Sequence, residues 1–141
     1  MKREIKFRAW HLTKSIMAEV EWLRWDGTIH VNYKVGESKD GFFFGGNNVG
    51  ADWQRDDYEL MQFTGLKDKN GKEIYESDIL KLQYPLNYGY GGIHNKEIIV
   101  TISFESGCFW FTGEGYTDCN WHFYNEYEVI GNIYENPELL K

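Results

Sequence analysis

Val20-Glu21-Trp22-Leu23-Arg24-Trp25-Asp26-Gly27-Thr28-Ile29-His30-Val31-Asn32-Tyr33 is the stretch whose reading decides the fold. Two runs rich in aromatic and β-branched residues flank Asp26-Gly27. Such residues suit a pleated, half-buried surface. Asp-Gly supplies the positive φ angles of a two-residue type I′ turn, so the stretch reads as an antiparallel hairpin.

The same punctuation continues outward. Upstream, Ile5, Phe7 and Ala9 alternate with Lys6, Arg8 and Trp10, which is a strand with one apolar face. His11–Ser15 reads as a connection. Downstream, five glycines between 36 and 50 surround Phe42-Phe43-Phe44, a short strand between loops. Gln54-Arg55-Asp56-Asp57 is the candidate boundary between two lobes. Tyr58–Thr64 is strand-like and Asp68-Lys69-Asn70-Gly71 is a turn. Lys72–Tyr75 leads into Glu76–Leu82, and Leu86–Asn95 is a Gly/Tyr/Asn loop. Ile98–Phe104 is the most β-prone run; Glu105-Ser106-Gly107 turns it and Cys108–Phe111 returns. Residues 113–126 read as a long loop, with room for one helical turn at Trp121–Tyr127. Tyr127–Tyr134 is a last strand before Asn136-Pro137. Strands at spacings of roughly 8–12 residues indicate an all-β sandwich or barrel. The expected architecture is a small two-lobed β-barrel protein. Residues 1–57 form an N-terminal β subdomain and 58–141 a C-terminal barrel subdomain, within one structural unit.

Composition agrees. The chain has 141 residues, enough to bury a core without a metal or disulfide staple. Aromatics make up 18%, beside 15 Gly and only two Pro, which favours turns and sheets over long helices. No apolar run approaches the roughly 18 residues of a membrane helix, and the first residues carry charges rather than an apolar leader. A cytoplasmic protein, without a membrane partner, is the expectation. The net charge of −7 divides into +3 over residues 1–36 and −10 over 37–141. That balance disfavours general nucleic-acid binding, which needs clustered Lys and Arg. Lys2, Arg3, Lys6 and Arg8 could form a small basic patch. The plainer reading is a charged strand edge that discourages edge-to-edge pairing.

Candidate chemistry is sparse. Cys108 and Cys119 are the only cysteines. A tight hairpin centred on Gly113-Glu114 would set them directly opposite each other, in register for a bridge. A reducing compartment favours two small apolar side chains instead. Cys119-Asn120-Trp121-His122 has a C-x-x-H spacing but no second ligand pair, so no metal and no cofactor are expected. Asp68–Gly71 resembles the opening of a calcium loop, yet its Gly comes at the fourth position rather than the sixth and the motif reads as a β-turn. Glu76 and Asp78 could serve acid–base chemistry. Two residues apart on a strand they would repel, and a carboxylate accepting backbone N–H bonds in a turn is the simpler role. No P-loop, nucleophile elbow or other catalytic motif is present, so no catalytic residue is assigned and no enzyme is expected. The strongest site candidates are aromatics in or beside loops: Tyr84, Tyr88, Tyr90, Trp110, Tyr116, Trp121, Phe123 and Tyr124. Exposed rings there can anchor a protein partner or stack on bases.

Three segments together resemble the YopX family of phage and prophage proteins. They are Arg3–Trp10, the run Leu60–Leu80 containing Thr64-Gly65-Leu66-Lys67-Asp68-Lys69-Asn70-Gly71 and Tyr75-Glu76-Ser77-Asp78-Ile79, and Val129–Leu140 containing Gly131-Asn132-Ile133-Tyr134-Glu135-Asn136-Pro137. The resemblance spans roughly residues 1–140. Where the family favours Gly, this chain has Ser77, which must adopt a milder backbone angle or bear strain. The resemblance implies an all-β, YopX-like fold with barrel-like subdomains, and a phage or prophage gene. It supplies no activity, cofactor or catalytic residue. The motif residues also have structural readings: Ile74, Ile79, Leu80, Val129, Ile130 and Ile133 as core, and Gly131 as a bulge or close backbone approach.

The expected protein is a non-enzymatic accessory module with an SH3-like C-terminal barrel. It binds a protein or its own copies through the loop aromatics. Single-stranded nucleic acid on an aromatic platform beside Lys2, Lys6 and Arg8 is the alternative, and a carboxylate-dependent enzyme a weaker one.

Overall fold

A computed structural model describes residues 4–34, 48–87, 93–113, 115–119, 121 and 126–141, with backbone alone at 34, 48, 84–87, 93–96 and 116. The described chain is all-β. Its strands are β1 (Phe7–His11), β2 (Ile16–Leu23), β3 (Ile29–Lys34), β4 (Asn48–Trp53), β5 (Tyr58–Lys67), β6 (Glu73–Tyr75), β7 (Asp78–Asn87), β8 (Ile93–Glu105), β9 (Cys108–Gly113), β10 (Tyr116–Asp118) and β11 (Glu126–Asn132). Among the described residues no helix is long and apolar enough to cross a membrane.

The strands form two antiparallel sheets. Cα proximity divides the chain into two compact units, Ile5–Gln62 and a larger one built on Phe63–Lys141. The division falls inside β5. In the first unit the order is β4-β3-β2-β1-β5, with Ala9 opposite both Ala18 and Leu60. Alternation buries Ala9, Ala18, Ile29, Val31 and Trp53 on one face. Gln54–Asp57, expected as the junction of two lobes, is a 3-10 turn (Arg55–Asp57) closed by the Asp57 N–H on the Gln54 carbonyl.

In the second unit β6 pairs with the far end of β5, and a five-stranded sheet runs β10-β9-β8-β7-β11. Its core is Ile74, Leu80, Leu82, Val100, Ile102, Phe109, Phe111 and Val129. Ile79 is also fully buried, whereas Ile130 and Ile133, expected in the core, are half-buried. A register shift between Val129 and Gly131 interrupts the alternation there. Gly131 combines the two roles read for it. It sits at this bulge, and a Cβ there would lie 2.9 Å from the Asn136 Cβ.

Several local expectations are corrected. The hairpin at Asp26-Gly27 is not a two-residue type I′ turn. The Arg24 N–H bonds the Thr28 carbonyl at 2.8 Å and the Gly27 N–H bonds the Arg24 carbonyl at 3.1 Å, with Gly27 alone at positive φ (86°). That is a three-residue loop ending in a glycine bulge. The Asp26 carboxylate explains the choice, because it accepts the Thr28 N–H at 2.8 Å and so closes an Asx turn. The two-residue turn is at Ser106-Gly107, where both residues have positive φ and Glu105 pairs with Cys108. The loop read over 113–126 contains β10. The loop read over 86–95 is shortened from both sides, since β7 runs to Asn87 and β8 starts at Ile93. Tyr127, placed in a possible helical turn, lies in β11. The Phe42–Phe44 strand lies outside the described residues.

Ser77 bears the strain rather than avoiding it, at φ 65°. Its N–H donates to the Ile102 carbonyl at 2.8 Å and its carbonyl accepts the Ile133 N–H at 3.0 Å. Ladder contacts on both sides hold the left-handed conformation in place.

Candidate functional site

The polar residues of the motif segments are consumed by the fold. The Asp68 side chain is buried. One oxygen accepts the Asn70 and Lys72 N–H groups at 2.8 and 2.9 Å, and the other accepts the Val129 N–H at 3.0 Å. Burial pushes its carboxyl up, but the three N–H donors, Val129 first, hold it below the usual range. This is a β-turn tied to β11. The fully buried Asp78 accepts the Tyr75 N–H at 2.8 Å, the turn role expected for it. Asn132 Oδ1 accepts the Tyr134 and Glu135 N–H groups. Among the described residues no three His, Cys, Asp or Glu side chains are arranged to hold a metal ion.

The loop aromatics divide. Tyr88, Tyr90, Phe123 and Tyr124 lie outside the described residues, as do the side chains of Tyr84 and Tyr116. Trp121 packs on Phe111 (4.2 Å between centroids) and Tyr127 (5.7 Å), and its indole donates to the Phe109 carbonyl at 3.3 Å. It extends the core. Trp110 lies between buried Phe109 and Phe111 in sequence and so faces the opposite side of the sheet. Its indole donates to the Glu105 carbonyl at 3.0 Å. Of the basic patch, Lys2 and Arg3 lie outside the described residues. Lys6 is half-buried, and half-buried Arg8 directs Nε at the Met61 sulfur, 3.5 Å away.

Three exposed aromatics are described: Phe104 on β8, whose ring packs on Phe109, and Trp22 and Trp25 on the β2–β3 hairpin. Trp25, at its tip, is 101% exposed. It has no ring contact or side-chain hydrogen bond among the described residues. Leu23 and Trp22 beside it are 45% and 39% exposed. The backbone under Trp25 is nevertheless pinned. The Tyr58 hydroxyl donates to the Gly27 carbonyl at 2.7 Å, Thr28 Oγ1 donates to Gln54 Oε1 at 3.4 Å, and the Arg55 methylenes pack on Gly27. Burial raises the Tyr58 phenol above its ordinary value, so the donor stays protonated. The Thr28 backbone N–H, then its hydroxyl, holds the Asp26 carboxyl low.

Behind the tip a polar file crosses the outer face of β2, β3 and β4. The Arg24 guanidinium sits 4.7 Å over the Trp22 ring, and Trp22 stacks on His30 at 4.9 Å and 5°. His30 Nδ1 meets Asp52 Oδ1 at 2.6 Å, Nε2 lies 3.6 Å from Glu21 Oε2, and Glu21 also accepts from Asn32. A register shift between Val20 and Trp22 turns Glu21 toward this file. Gly50 leaves room for the imidazole, since a Cβ there would lie 3.0 Å from His30 Nε2. The file holds Trp22 between the Arg24 guanidinium and the His30 imidazole and offers carboxylates at its edge. Among the described residues it contains no nucleophile. Sequence reasoning read Trp22 and Trp25 as ordinary strand residues. The signal for Trp25 was its place directly before Asp-Gly, where a ring has no sheet neighbour to cover it.

The comparisons with known proteins bear on the whole chain. Residues 6–141 match the model of the YopX protein family. The crystal structure of protein EF1440 from Enterococcus faecalis superposes with a TM-score of 0.65 at 31% identity, covering 99% of this chain and 100% of that one. No curated protein sequence matches. With its all-β sheets, its Asp68 turn and its Gly131 bulge placed as the motif segments require, the chain belongs to the YopX family.

Proposed function

We propose that this protein is a non-enzymatic binding module, of phage or prophage origin and acting in the bacterial cytoplasm, that engages a protein partner or a second copy of itself through the β2–β3 hairpin. The observation that carries this reading is Trp25, a fully exposed indole on a turn whose backbone is already fixed. Exposing a large apolar ring to water costs solvation free energy that a purely structural turn has no reason to bear. A rigid aromatic at the centre of a contact loses little entropy on binding, and Trp is enriched among residues that dominate interfaces. Leu23 and Trp22 widen the apolar patch, and Arg24, Asp26 and the His30–Asp52–Glu21 file supply a polar rim. The C-terminal unit is read as an SH3-like barrel.

Two measurements on the full chain test the proposal. Sizing across a concentration range reads self-association, and capture from a lysate of the phage-bearing host reads a foreign partner. The Trp25→Ala variant loses association at least about tenfold in whichever assay is positive for the natural chain, the loss expected for an interface anchor. Retention of full association by Trp25→Ala contradicts the proposal, as does a monomer that captures nothing.

A further inference from the structure

Cys108 opens β9 and Cys119 follows the last residue of β10. The sequence reading set them directly opposite each other. The observed register pairs Tyr116 with Gly113 and Asp118 with Phe111, and one further step would set Cys119 across from Trp110, two residues along from Cys108. A shift of two residues keeps side chains on the same face. Both thiols are therefore brought to the face of the sheet that carries Trp110, and both are half-exposed and unbridged. Burial, then the Cys119 thiol, raises Cys108 above the ordinary thiol range, and Cys108 Sγ also lies 3.6 Å from the Phe109 carbonyl. A diagonal pair held by a continuous ladder is too wide for a disulfide. Here the ladder ends at Asp118, one residue before Cys119, so no ladder pairing holds residue 119 at that diagonal spacing.

We propose that Cys108 and Cys119 form a reversible intramolecular disulfide with a small-molecule disulfide oxidant, a redox site that ties β9 to the chain beyond edge strand β10. The thiolate of one cysteine attacks the oxidant's S–S bond and releases one thiol. The other cysteine then displaces the second. Two protein S–H bonds become one S–S bond, the oxidant takes the electron pair, and both protons leave with its two thiols. The bridge fixes residue 119 two positions before Trp121, whose ring seats on Phe111 and Tyr127. Oxidation is thus read out by that indole.

The test is equilibration of the full chain in glutathione buffers of varied oxidised fraction, once in native conditions and once in denaturing urea, with thiols counted by alkylation and mass spectrometry. Two thiols joined only by flexible chain have an effective concentration of about millimolar. The fold is expected to raise the bridge-forming constant at least about tenfold over the urea value, with both thiols lost together in the monomer and restored by dithiothreitol. Cys108→Ser and Cys119→Ser each stop at a mixed disulfide with glutathione. A native constant equal to or below the urea value overturns the proposal, as does independent glutathionylation of each thiol or disulfide-linked dimers in place of the internal bridge.

Discussion

The β2–β3 and β5–β6 hairpins close with the same three-residue loop and put it to opposite uses. In each, the residue before the loop donates its N–H to the residue after it at 2.8 Å, and a glycine at φ 86° or 82° supplies the bulge. In each, an aspartate side chain caps the turn. The second loop is tied to β11: Asp68 reaches Val129, and the Lys69 N–H reaches the Tyr127 carbonyl at 3.1 Å. Around the first loop the backbone is pinned from beneath, but the tip residue, Trp25, faces water. The lesson is that the most recognisable stretch of this chain is scaffold. The candidate surface lies in a hairpin that carries no family motif.

This contrast yields graded expectations. The largest effect is for Asp78→Ala, which leaves the buried Tyr75 N–H without its acceptor. The loss of stability is about 3 kcal/mol, the upper range for hydrogen bonds to charged groups, read by thermal unfolding. A loss under about 1 kcal/mol would show that the motif carboxylates are not scaffold. Next is Gly131→Ala. Its new methyl meets Asn136 at both Cβ and Oδ1, and overpacking of that kind costs about 1–3 kcal/mol. Smaller, and opposite in sign, is Ser77→Gly. Relief of the left-handed conformation is expected to raise stability by about 0.5–1 kcal/mol, and a decrease would mean the Ser77 side chain has a role of its own.

Acid separates the units further. Burial first, then Lys14, lowers the pKa of His11 from 6.5, with Asp57 opposing. His11 is buried with Nδ1 facing the Thr13 and Lys14 N–H groups and its ring edge-on to Trp53. The unfolded chain binds the proton more readily, so this contribution is complete above pH 6.5 and declines as pH falls below it. Asp68, lowered from 3.8, keeps its contribution until pH falls below that value. Between pH 6.5 and about 4 the natural chain loses stability that a His11→Gln variant retains. Parallel unfolding curves for the two chains across that window would remove His11 as the cause.

Much of the fold was legible because it is written in local chemistry. Alternation marked β1, and Asn-Gly and Ser-Gly marked turns. The bulge and the close approach at Gly131 were readable from a glycine interrupting an apolar strand. The misreadings all concern contacts that spacing does not encode. Asp26 preferred an Asx turn to type I′ geometry, which moved the hairpin register by one. The β9–β10 loop closed later than Gly113-Glu114, which moved the thiols to a diagonal. The candidate surface was missed because Trp25 and Trp121 look alike in sequence. Only the presence of Phe111 and Tyr127 around one ring, and of nothing around the other, separates them.

The most direct test of this division of labour is the unfolding free energy in urea of Asp68→Ala beside that of Trp25→Ala. Asp68→Ala is expected to lose about 3 kcal/mol, because three backbone donors lose a charged acceptor. Trp25→Ala is expected to stay within about 0.5 kcal/mol of the natural chain, as exposed substitutions do. Equal losses for the two variants, or a larger one for Trp25→Ala, would contradict the account.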